Sequence, residues 1–245
     1  MWYQLVTWMN FFYKRVFCIY KPFYFCYKRF SDRDKIRLIR KTVKKGMTVL
    51  DIGANIGFYS ILLSRLVGPS GKVIAYEPEE RNISILKKIT RKRNNITVQP
   101  NACGEKTEMM NLYVSKNMNI DHQTYDSGEK RTVRHVPCVA VDDDLDKEEI
   151  VGFIKIDVQG YDYYALLGMK KTIQRSRELT LIGEFWPFAL KKAGVEPGEY
   201  IRLLKELGFS VHFFHTKTDP LHPEKMAEKY YYTDFYASKQ SNPLL

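Results

Sequence analysis

The sequence predicts an α/β fold in which helices cover both faces of a mostly parallel sheet. Seven short apolar runs are typical of strands: 48–52, 72–76, 96–99, 153–158, 179–184, 210–214 and 231–236. Four stretches between them have the apolar spacing of helices: 56–66, 79–92, 161–169 and 198–207. Strands that alternate with single helices form right-handed βαβ units, so this order predicts parallel pairing.

The composition fits one large domain with a packed core. The chain has 245 residues, of which 44% are hydrophobic and 27% charged, and its mean hydropathy is −0.37. These values exclude a polytopic membrane protein and a disordered chain. The cysteines Cys18, Cys26, Cys103 and Cys138 have no C-x-x-C spacing, so we expect neither a metal site nor a disulfide scaffold. They predict buried thiols in a reducing compartment and hence a cytoplasmic protein.

Positive charge is concentrated at the start of the chain. Residues 1–45 contain 12 Lys and Arg against Asp32 and Asp34, a local charge of +10, whereas the remaining residues carry a net charge of +1. A basic surface across the whole domain is therefore not expected, which disfavours nucleic acid as a partner. Any polyanionic partner would meet the N-terminal segment.

Residues 1–35 are predicted to form an amphipathic helical extension before the main domain, 36–245. The first uncharged run ends at Lys14, short of the roughly 20 apolar residues that span a bilayer. Charges follow the apolar run, unlike those of a signal peptide. On a helix, the polar residues of the segment fall on one side and leave a wide apolar face.

Two interpretations of this apolar face stay open. In the first, the aromatic residues Trp2, Trp8, Phe11 and Phe12 attach the protein peripherally to the anionic inner surface of a membrane. In the second, the face packs as a lid or arm on the domain or on a second copy of the chain in a homodimer.

The long break between residues 99 and 153 contains two more alternating runs, 109–114 and 132–141. A polar loop, 115–131, joins them. We interpret this region as an inserted β-hairpin and its loop as a flap over the substrate.

A glycine-rich turn, D-I-G-A-N-I-G-F-Y-S (51–60), follows the first predicted strand. Glycine allows the backbone to turn sharply and approach a ligand, and the helix that follows offers free N–H groups to an anion. The G-x-x-x-G spacing is not the G-x-G-x-x-G of dinucleotide folds, and no Lys-Ser/Thr pair follows as in a P-loop. Asp51 would repel a pyrophosphate, but it can accept a hydrogen bond from an ammonium group.

The second strand ends at Tyr76-Glu77-Pro78 and places a carboxylate where it can accept both hydroxyls of a ribose. An acid, a glycine turn and a second acid on successive strands fit S-adenosylmethionine. Its ammonium would lie near Asp51, its ribose on Glu77 and its adenine beside the loop 101–103.

With these motifs in register, the sequence resembles the FkbM family of class I methyltransferases. Besides 51–60, the matching segments are Y-E-P (76–78), N-A-x-G-E (101–105), V-x-V-D-D-x-L (139–145) and I-K-I-D-V-Q-G-Y-D (154–162). The resemblance implies a Rossmann-like seven-stranded sheet whose last strand is antiparallel, S-adenosyl-L-methionine as methyl donor, and O-methylation of a small molecule or glycan. The residues then expected to contact the cofactor are Asp51, Gly53, Ala54, Asn55, Gly57, Phe58, Glu77, Pro78, Asn101, Ala102 and Asp157.

Three side chains are candidates to bind and deprotonate a hydroxyl acceptor. Asp157 and Glu184 lie at the carboxyl ends of the fourth and fifth strands, and His122 lies on the flap. The family usually has D-V-E-G-x-E where this chain has D-V-Q-G-Y-D, so the neutral Gln159 stands in place of a glutamate. If that glutamate assists the acceptor or the cofactor, this chain does so by hydrogen bonding alone or not at all.

Three function classes stay open at this point. The first is an O-methyltransferase for a hydroxyl on a small molecule, a glycan or a lipid-linked acceptor. The second is a nucleic-acid methyltransferase that uses the basic N-terminal segment. The third is a membrane-associated binding protein that keeps the fold without turnover.

Overall fold

The computed structural model describes residues 13, 17–115, 122–126, 128, 130–214, 220–222, 226, 228 and 231–239. Trp2, Trp8, Phe11 and Phe12 of the predicted aromatic face lie outside the described residues. Among the described helices, none combines the length and the apolar character that crossing a bilayer requires.

The strands of the described chain are β1 (Thr48–Ile52), β2 (Lys72–Tyr76), β3 (Ile96–Gln99), β4 (Ala102–Cys103), β5 (Glu108–Val114), β6 (Thr132–Val139), β7 (Val151–Ile156), β8 (Thr180–Phe185), β9 (Ser210–Phe213) and β10 (Thr233–Ser238). The helices are α1 (Phe17–Ser31), α2 (Arg33–Thr42), α3 (Phe58–Val67), α4 (Glu80–Thr90), α5 (Val141–Asp144), α6 (Asp162–Leu167), α7 (Lys170–Arg175), α8 (Pro187–Lys192) and α9 (Pro197–Glu206). The first three strands have the predicted bounds, whereas α2, α5, α7 and α8 were not predicted, three of them because four to six residues are too short to show a helical period.

The central sheet of the described chain has seven strands in the order β3-β2-β1-β7-β8-β10-β9. The strands β3, β2, β1, β7 and β8 are parallel, and β10 runs antiparallel to both β8 and β9. The predicted seven-stranded sheet with helices and an antiparallel last strand is thereby confirmed.

Strand β1 is an interior strand of this sheet, between β2 and β7, and is buried at every position. Its alternate residues pack on opposite faces: Val49 joins the core that includes Leu38 and Phe153, and Leu50 joins the core that includes Ile154 and Leu166. Burial on both faces explains why the apolar residues Val49, Leu50 and Ile52 do not alternate strictly with polar ones.

The predicted hairpin is present as β5 and β6, which pair antiparallel from Glu108↔Cys138 to Val114↔Thr132. It does not join the central sheet. Instead β6 also pairs in parallel with β4, a two-residue strand within the predicted loop 101–103, to give a separate three-stranded sheet. In the flap, Gln123 and Tyr113 exchange backbone hydrogen bonds of 3.1 and 2.7 Å, so this part of the flap folds back on the hairpin.

Helices α1 and α2 pack directly on the domain. Tyr20 and Tyr24 of α1 are buried with Tyr13 against Ile56 of the glycine turn. The predicted boundary at residue 35 falls inside α2, whose Leu38 and Ile39 are part of the core. The expectation that all cysteines are buried is wrong for Cys18 and Cys26, which lie on the outward side of α1, whereas Cys103 and Cys138 are buried free thiols.

The buried carboxylate of Asp32 contacts side chains of α1, α2 and α3. It lies between the first two helices, accepts a hydrogen bond from the hydroxyl of Tyr59 on α3, and forms ion pairs with Lys28 and Lys35. Burial alone would raise the pKa of Asp32, but the positive charges of Lys35 and Lys28 outweigh it and lower the pKa to about 2. The ionised carboxylate therefore fastens the N-terminal helices to the domain.

We expect Asp32→Asn to lower the free energy of unfolding by about 2 kcal/mol at pH 7. A carboxyl group whose pKa falls from the usual 3.8 to about 2 on folding stabilises the folded state above pH 3.8, and this contribution is lost as the pH falls through 2. Urea unfolding measures the change. The matched control is Asp34→Asn, since Asp34 lies 3.6 Å from the exposed Arg37, and pairs of that kind contribute about 0–1 kcal/mol. Equal stability of the two variants would contradict the role of Asp32.

Candidate active site

A cavity of about 720 Å³ opens at the carboxyl-terminal edge of the central sheet. The segments after β1, β2, β3 and β7, the end of β8 and the start of β10 form its floor, and α1, α2 and the flap contribute to its walls. Strand β1 lies between β2 and β7, so the strand order reverses at this point. Open α/β sheets bind ligands at such a position.

The glycine turn after β1 is held tightly between its neighbours. The amides of Gly53 and Ala54 both donate to the carbonyl of Tyr76, at 3.0 and 2.9 Å. Gly53 has a φ of +75°, and a Cβ placed on it would lie 2.0 Å from the carbonyl oxygen of Asp157. Only glycine allows this approach. Asn55 continues the turn with a φ of +50°, in the left-handed region that residues other than glycine rarely adopt.

Lys155 holds the glycine turn through hydrogen bonds to its backbone carbonyls. Its Nζ donates to the carbonyls of Gly53 at 2.6 Å and Ile52 at 3.2 Å, and it lies 3.5 Å from Oδ1 of Asp51. The other oxygen of Asp51 accepts from the hydroxyl of Ser60 at 2.6 Å. Asp51 is fully buried and is not among the residues that line the cavity. Its contact with an ammonium group stays a prediction.

Glu77 is a buried carboxylate at the cavity wall. Its Oε2 accepts from the amide of Asn55 at 2.7 Å, and its Oε1 accepts from the amide of Glu79 at 3.0 Å and from Asn82 at 3.3 Å. Burial raises the pKa of Glu77 to about 7, against the lowering effect of these three donors. Further donors at its oxygens would favour the ionised form.

Asp157 follows β7 and faces the cavity from the other side of the turn. Its Oδ1 accepts from Nε2 of Gln159 at 2.9 Å, and its Oδ2 lies 3.9 Å from Nζ of Lys155. Burial would raise the pKa of Asp157, but the charges of Lys155, Lys28 and Lys35 outweigh it and lower the pKa. Gln159, with a φ of +55°, therefore acts as a hydrogen-bond donor to Asp157 where a glutamate would repel it.

Glu184 lies at the end of β8, in a more negative part of the same cavity. Burial raises the pKa of Glu184 well above its usual range, and the charges of Asp157 and Asp234 raise it further. Asp234 is the partner of Glu184 across β8 and β10, and its carboxylate accepts from Lys35 of α2 at 2.9 Å. The surroundings of the two acidic candidates therefore move their pKa values in opposite directions, since the pKa of Asp157 is lowered and that of Glu184 is raised.

His122 reaches the cavity from the flap. Its Nδ1 accepts the backbone N–H of Ser115 at 3.1 Å, and burial lowers the pKa of the imidazole to about 4. A neutral imidazole that accepts at Nδ1 carries its proton on Nε2. This geometry makes His122 a hydrogen-bond donor to a ligand and disfavours the predicted role as proton acceptor.

Most of the predicted site residues come together at this one cavity. Those that line it are Gly53, Ala54, Asn55, Phe58, Glu77, Pro78, Asn101, Ala102, His122, Asp157 and Glu184. Asp51 and Gly57 do not line it. Gly57 has a φ of +86°, and a Cβ there would lie 2.5 Å from Leu86, so its lack of a side chain serves the packing of α3 against α4.

Sequence analysis missed several charged residues of this site, among them Lys28, Lys35, Lys155 and Asp234, which line the cavity as well. Lys155 had a signal, since it is the one charged residue within the apolar strand Val151–Ile156. Lys28, Lys35 and Asp234 had none. They reach the site only because α1, α2 and β10 pack beside it.

The sheet order, the antiparallel last strand, and the glycine turn that faces an acid on the next strand define a class I S-adenosylmethionine-dependent methyltransferase fold. Within this class, the chain belongs to the FkbM methyltransferase family: the family model described as "Methyltransferase FkbM domain" matches residues 51–211.

Solved structures share this fold at low sequence identity. They include a SAM-dependent O-methyltransferase from Thermotoga maritima (15% identity, TM-score 0.51, covering 86% of this chain and 66% of that one). An rRNA methylase from Streptococcus thermophilus has 11% identity and a TM-score of 0.50, with 84% of this chain and 95% of that chain covered. A magnesium protoporphyrin IX methyltransferase from Synechocystis with bound SAM has 14% identity and a TM-score of 0.50, with 87% and 80% covered.

One curated relative matches a short stretch of the sequence. It is a probable cobalt-precorrin-6B C(15)-methyltransferase (decarboxylating) from Thermoplasma volcanium, 41% identical over 56 residues. The match spans 22% of this chain and 28% of that relative. These similarities agree on the fold and differ in the acceptors that the names of the proteins mention.

The residues present fit S-adenosyl-L-methionine, the cofactor of this family. The buried carboxylate of Glu77 lines the cavity, and the two hydroxyls of a ribose are donors suited to it. Gly53, which has no side chain, also lines the cavity, and Asn101 and Ala102 line the side where the adenine is expected. When bound, the cofactor supplies a methyl group on a sulfonium.

We expect Gly53→Ala to weaken the binding of S-adenosylhomocysteine at least about tenfold, because relief of the 2.0 Å contact with Asp157 moves the turn. Strain of this kind also lowers the free energy of unfolding by about 1–3 kcal/mol. The control is Gly198→Ala, where a Cβ meets nothing within 4 Å. Calorimetry and thermal unfolding measure both effects, and a Gly53→Ala protein that matches the control in both would overturn this role of the turn.

We expect Glu77→Ala to weaken S-adenosylhomocysteine binding by about 1–3 kcal/mol, because two hydroxyls lose their acceptor. In the wild type the affinity should fall as the pH drops below about 7, since the pKa of Glu77 is raised to about 7 and hydroxyl donors favour its ionised form. Titration calorimetry between pH 6 and 8 measures this slope. If Glu77→Gln keeps the slope, Glu77 is not the group that titrates on binding.

Proposed function

We propose that this protein transfers the methyl group of S-adenosyl-L-methionine to a hydroxyl oxygen, with Glu184 as the proton acceptor. One observation carries the proposal: Asp157 and Glu184 face the same cavity, and their surroundings move their pKa values in opposite directions. Pairs of acidic groups that diverge in this way commonly have different roles in acid–base chemistry.

A hydroxyl acceptor must lose a proton as its oxygen gains the methyl group. A carboxylate with a raised pKa accepts that proton more readily near neutral pH than one with an ordinary pKa. Glu184 meets this condition. Asp157 stays ionised beside Lys155 and is suited to orient the acceptor hydroxyl or the positive charge of the donor.

The remaining walls favour an acceptor with a ring or an apolar body. Trp186 and Phe188 line the cavity, and their ring centroids lie 6.4 Å apart. His122, which lines the cavity from the flap, can donate a hydrogen bond from Nε2. Aromatic faces of this kind stack on sugars and other flat or apolar groups. A small molecule, a glycan or a lipid-linked acceptor fits such a wall.

A nucleic-acid acceptor is less well supported. The fold is shared with an rRNA methylase, but it is equally shared with an O-methyltransferase, so the fold alone does not choose between them. Beyond residue 45 the net charge is only +1, which provides little attraction for a polyanion. A binding protein without turnover would not need the divergent acid pair.

We also propose a place of action at the inner surface of a membrane, through the basic N-terminal segment. Lys21 and Arg29 of α1 follow the aromatic residues, and each basic residue near anionic lipid adds about 1 kcal/mol of attraction.

The acceptor is identified by incubating the protein with labelled S-adenosylmethionine and fractionated cell extract. Label in the RNA fraction would reverse the preference for a hydroxyl acceptor outside nucleic acid.

We expect Glu184→Gln to lower kcat by about 10²–10⁴-fold with little change in cofactor affinity. In the wild type kcat should rise with pH as Glu184 ionises, above the usual glutamate range, because burial, Asp157 and Asp234 raise its pKa. Asp157→Asn should shift this rise to lower pH, because one of the negative charges is removed. The matched control is Glu178→Gln, an exposed acid that precedes β8 at its other end. Full activity with an unchanged pH profile in Glu184→Gln would rule out Glu184 as the base.

A further inference from the structure

Helix α1 is apolar on two sides, and the described part of the chain buries one of them. Tyr20 and Tyr24 face inward and are buried against the domain. On the outward side, Phe23 and Phe30 keep 71% and 76% of their surface, and Ile19 keeps 43%. An exposed aromatic side chain is unremarkable by itself, but several on one helix face indicate a docking surface.

The outward residues form one continuous stripe along the helix. Ile19, Phe23, Cys26 and Phe30 are spaced i, i+4, i+7 and i+11, which places them above one another over three turns. All four are exposed. We call this set the α1 stripe.

The charge near the α1 stripe favours an anionic surface. Residues 1–45 carry a local charge of +10. Arg29, next to Phe30 on α1, is exposed, and so are Arg33 and Arg37 on the following helix α2. Pairing of this face with the same face of a second copy would bring two such segments together, and like charges in contact are repulsive. Apolar contact combined with positive charge is the pattern of attachment to anionic lipid.

The α1 stripe lies beside the mouth of the cavity. Tyr27, on the same helix, and Tyr232, just before β10, both line the cavity while keeping 54% and 60% of their surface exposed. Lys28 and Ser31 of α1 also line it. A surface that rests on the α1 stripe therefore meets the opening through which an acceptor enters.

We propose that the α1 stripe docks on an anionic lipid bilayer and sets the mouth of the cavity at the headgroup layer, so that the acceptor hydroxyl belongs to a lipid-anchored molecule in that layer. The acceptor class rests on the proposed methyltransferase function, whereas the docking itself does not. In the reaction the acceptor oxygen gains the methyl group, its proton passes to Glu184, and S-adenosylhomocysteine leaves.

Co-sedimentation with vesicles tests the docking. The full chain should bind vesicles of one part phosphatidylglycerol to two parts phosphatidylcholine, bind pure phosphatidylcholine much more weakly, and lose affinity with added salt. Phe23→Ser with Phe30→Ser should weaken this binding about tenfold or more, because two aromatic side chains no longer enter the interface. Equal binding of this double variant and the wild type, or no binding by either, overturns the proposal.

A matched variant separates the α1 stripe from exposed apolar surface in general. Met109 on β5 and Ile150 just before β7 keep 63% and 56% of their surface and lie away from α1 in the sequence. Met109→Ser with Ile150→Ser should therefore bind vesicles as the wild type does. Phe23 and Phe30 do not line the cavity, so S-adenosylhomocysteine affinity and thermal stability should be unchanged in both double variants. A lid role would instead show as lost cofactor affinity without any effect of lipid.

The orientation of the mouth is tested with an environment-sensitive dye on single thiols. Cys18 and Cys26 are the exposed cysteines and Cys103 and Cys138 are buried, so Cys18→Ser leaves Cys26 as the accessible thiol. In a Cys18→Ser, Cys26→Ser background, Tyr232→Cys places the dye at the mouth and Met109→Cys places it on the hairpin. Anionic vesicles should shift the emission of the dye to the blue at Cys26 and at position 232 but not at 109; a response at Cys26 without one at 232 refutes the orientation.

The acceptor class is tested by where the label goes. With labelled S-adenosylmethionine and cell membranes, label should enter the chloroform-soluble fraction and fall with Phe23→Ser and Phe30→Ser. Label that enters only water-soluble molecules refutes the lipid-anchored acceptor. If no hydroxyl is methylated at all, the proposed function fails, while vesicle binding, measured without any acceptor, still decides the docking.

Discussion

The site depends on the close contact between the glycine turn after β1 and Asp157, the residue that follows β7. Gly53 can lie against the carbonyl of Asp157 only because it has no side chain, and the amides of the turn are fixed to Tyr76. Lys155 of β7 donates hydrogen bonds to the carbonyls of Ile52 and Gly53 and so joins β7 to the end of β1. As a result Glu77 and Asp157 stand on either side of one turn and face the same cavity.

The chemistry of the site follows from how charge is divided around two carboxyl groups. Asp157 is surrounded by lysines, two of which come from the N-terminal helices, and its pKa is lowered. Glu184 faces Asp157 and Asp234, and its pKa is raised. The N-terminal helices are therefore part of the electrostatics of the site, whatever further surface α1 contacts. Asp32 fixes their position, because its buried carboxylate forms ion pairs with both lysines and accepts a hydrogen bond from Tyr59.

Helix α1 contributes to two surfaces, the buried contact with the glycine turn and the exposed α1 stripe. Its inward tyrosines pack on the glycine turn through Ile56, and its outward stripe remains open to a partner. The two interpretations of the N-terminal segment, a packed arm and a membrane attachment, are therefore compatible in the described part of the chain, since they use opposite sides of the same helix.

The sequence by itself determined the central sheet, the glycine turn and the family, because these depend on local patterns: buried parallel strands are continuous apolar runs, and a backbone that turns without a Cβ requires glycine. It also placed Glu77, Asp157 and Glu184 at strand ends, which meet at one edge of a parallel sheet. Only the tertiary structure decided the rest. Asp51 proved to face Ser60 and Lys155 instead of the cavity, and Lys35 and Asp234 came together across 199 positions of sequence. Protonation is likewise a tertiary property, because the pKa of a carboxyl group depends on burial and on charges from distant segments, and no local pattern encodes either.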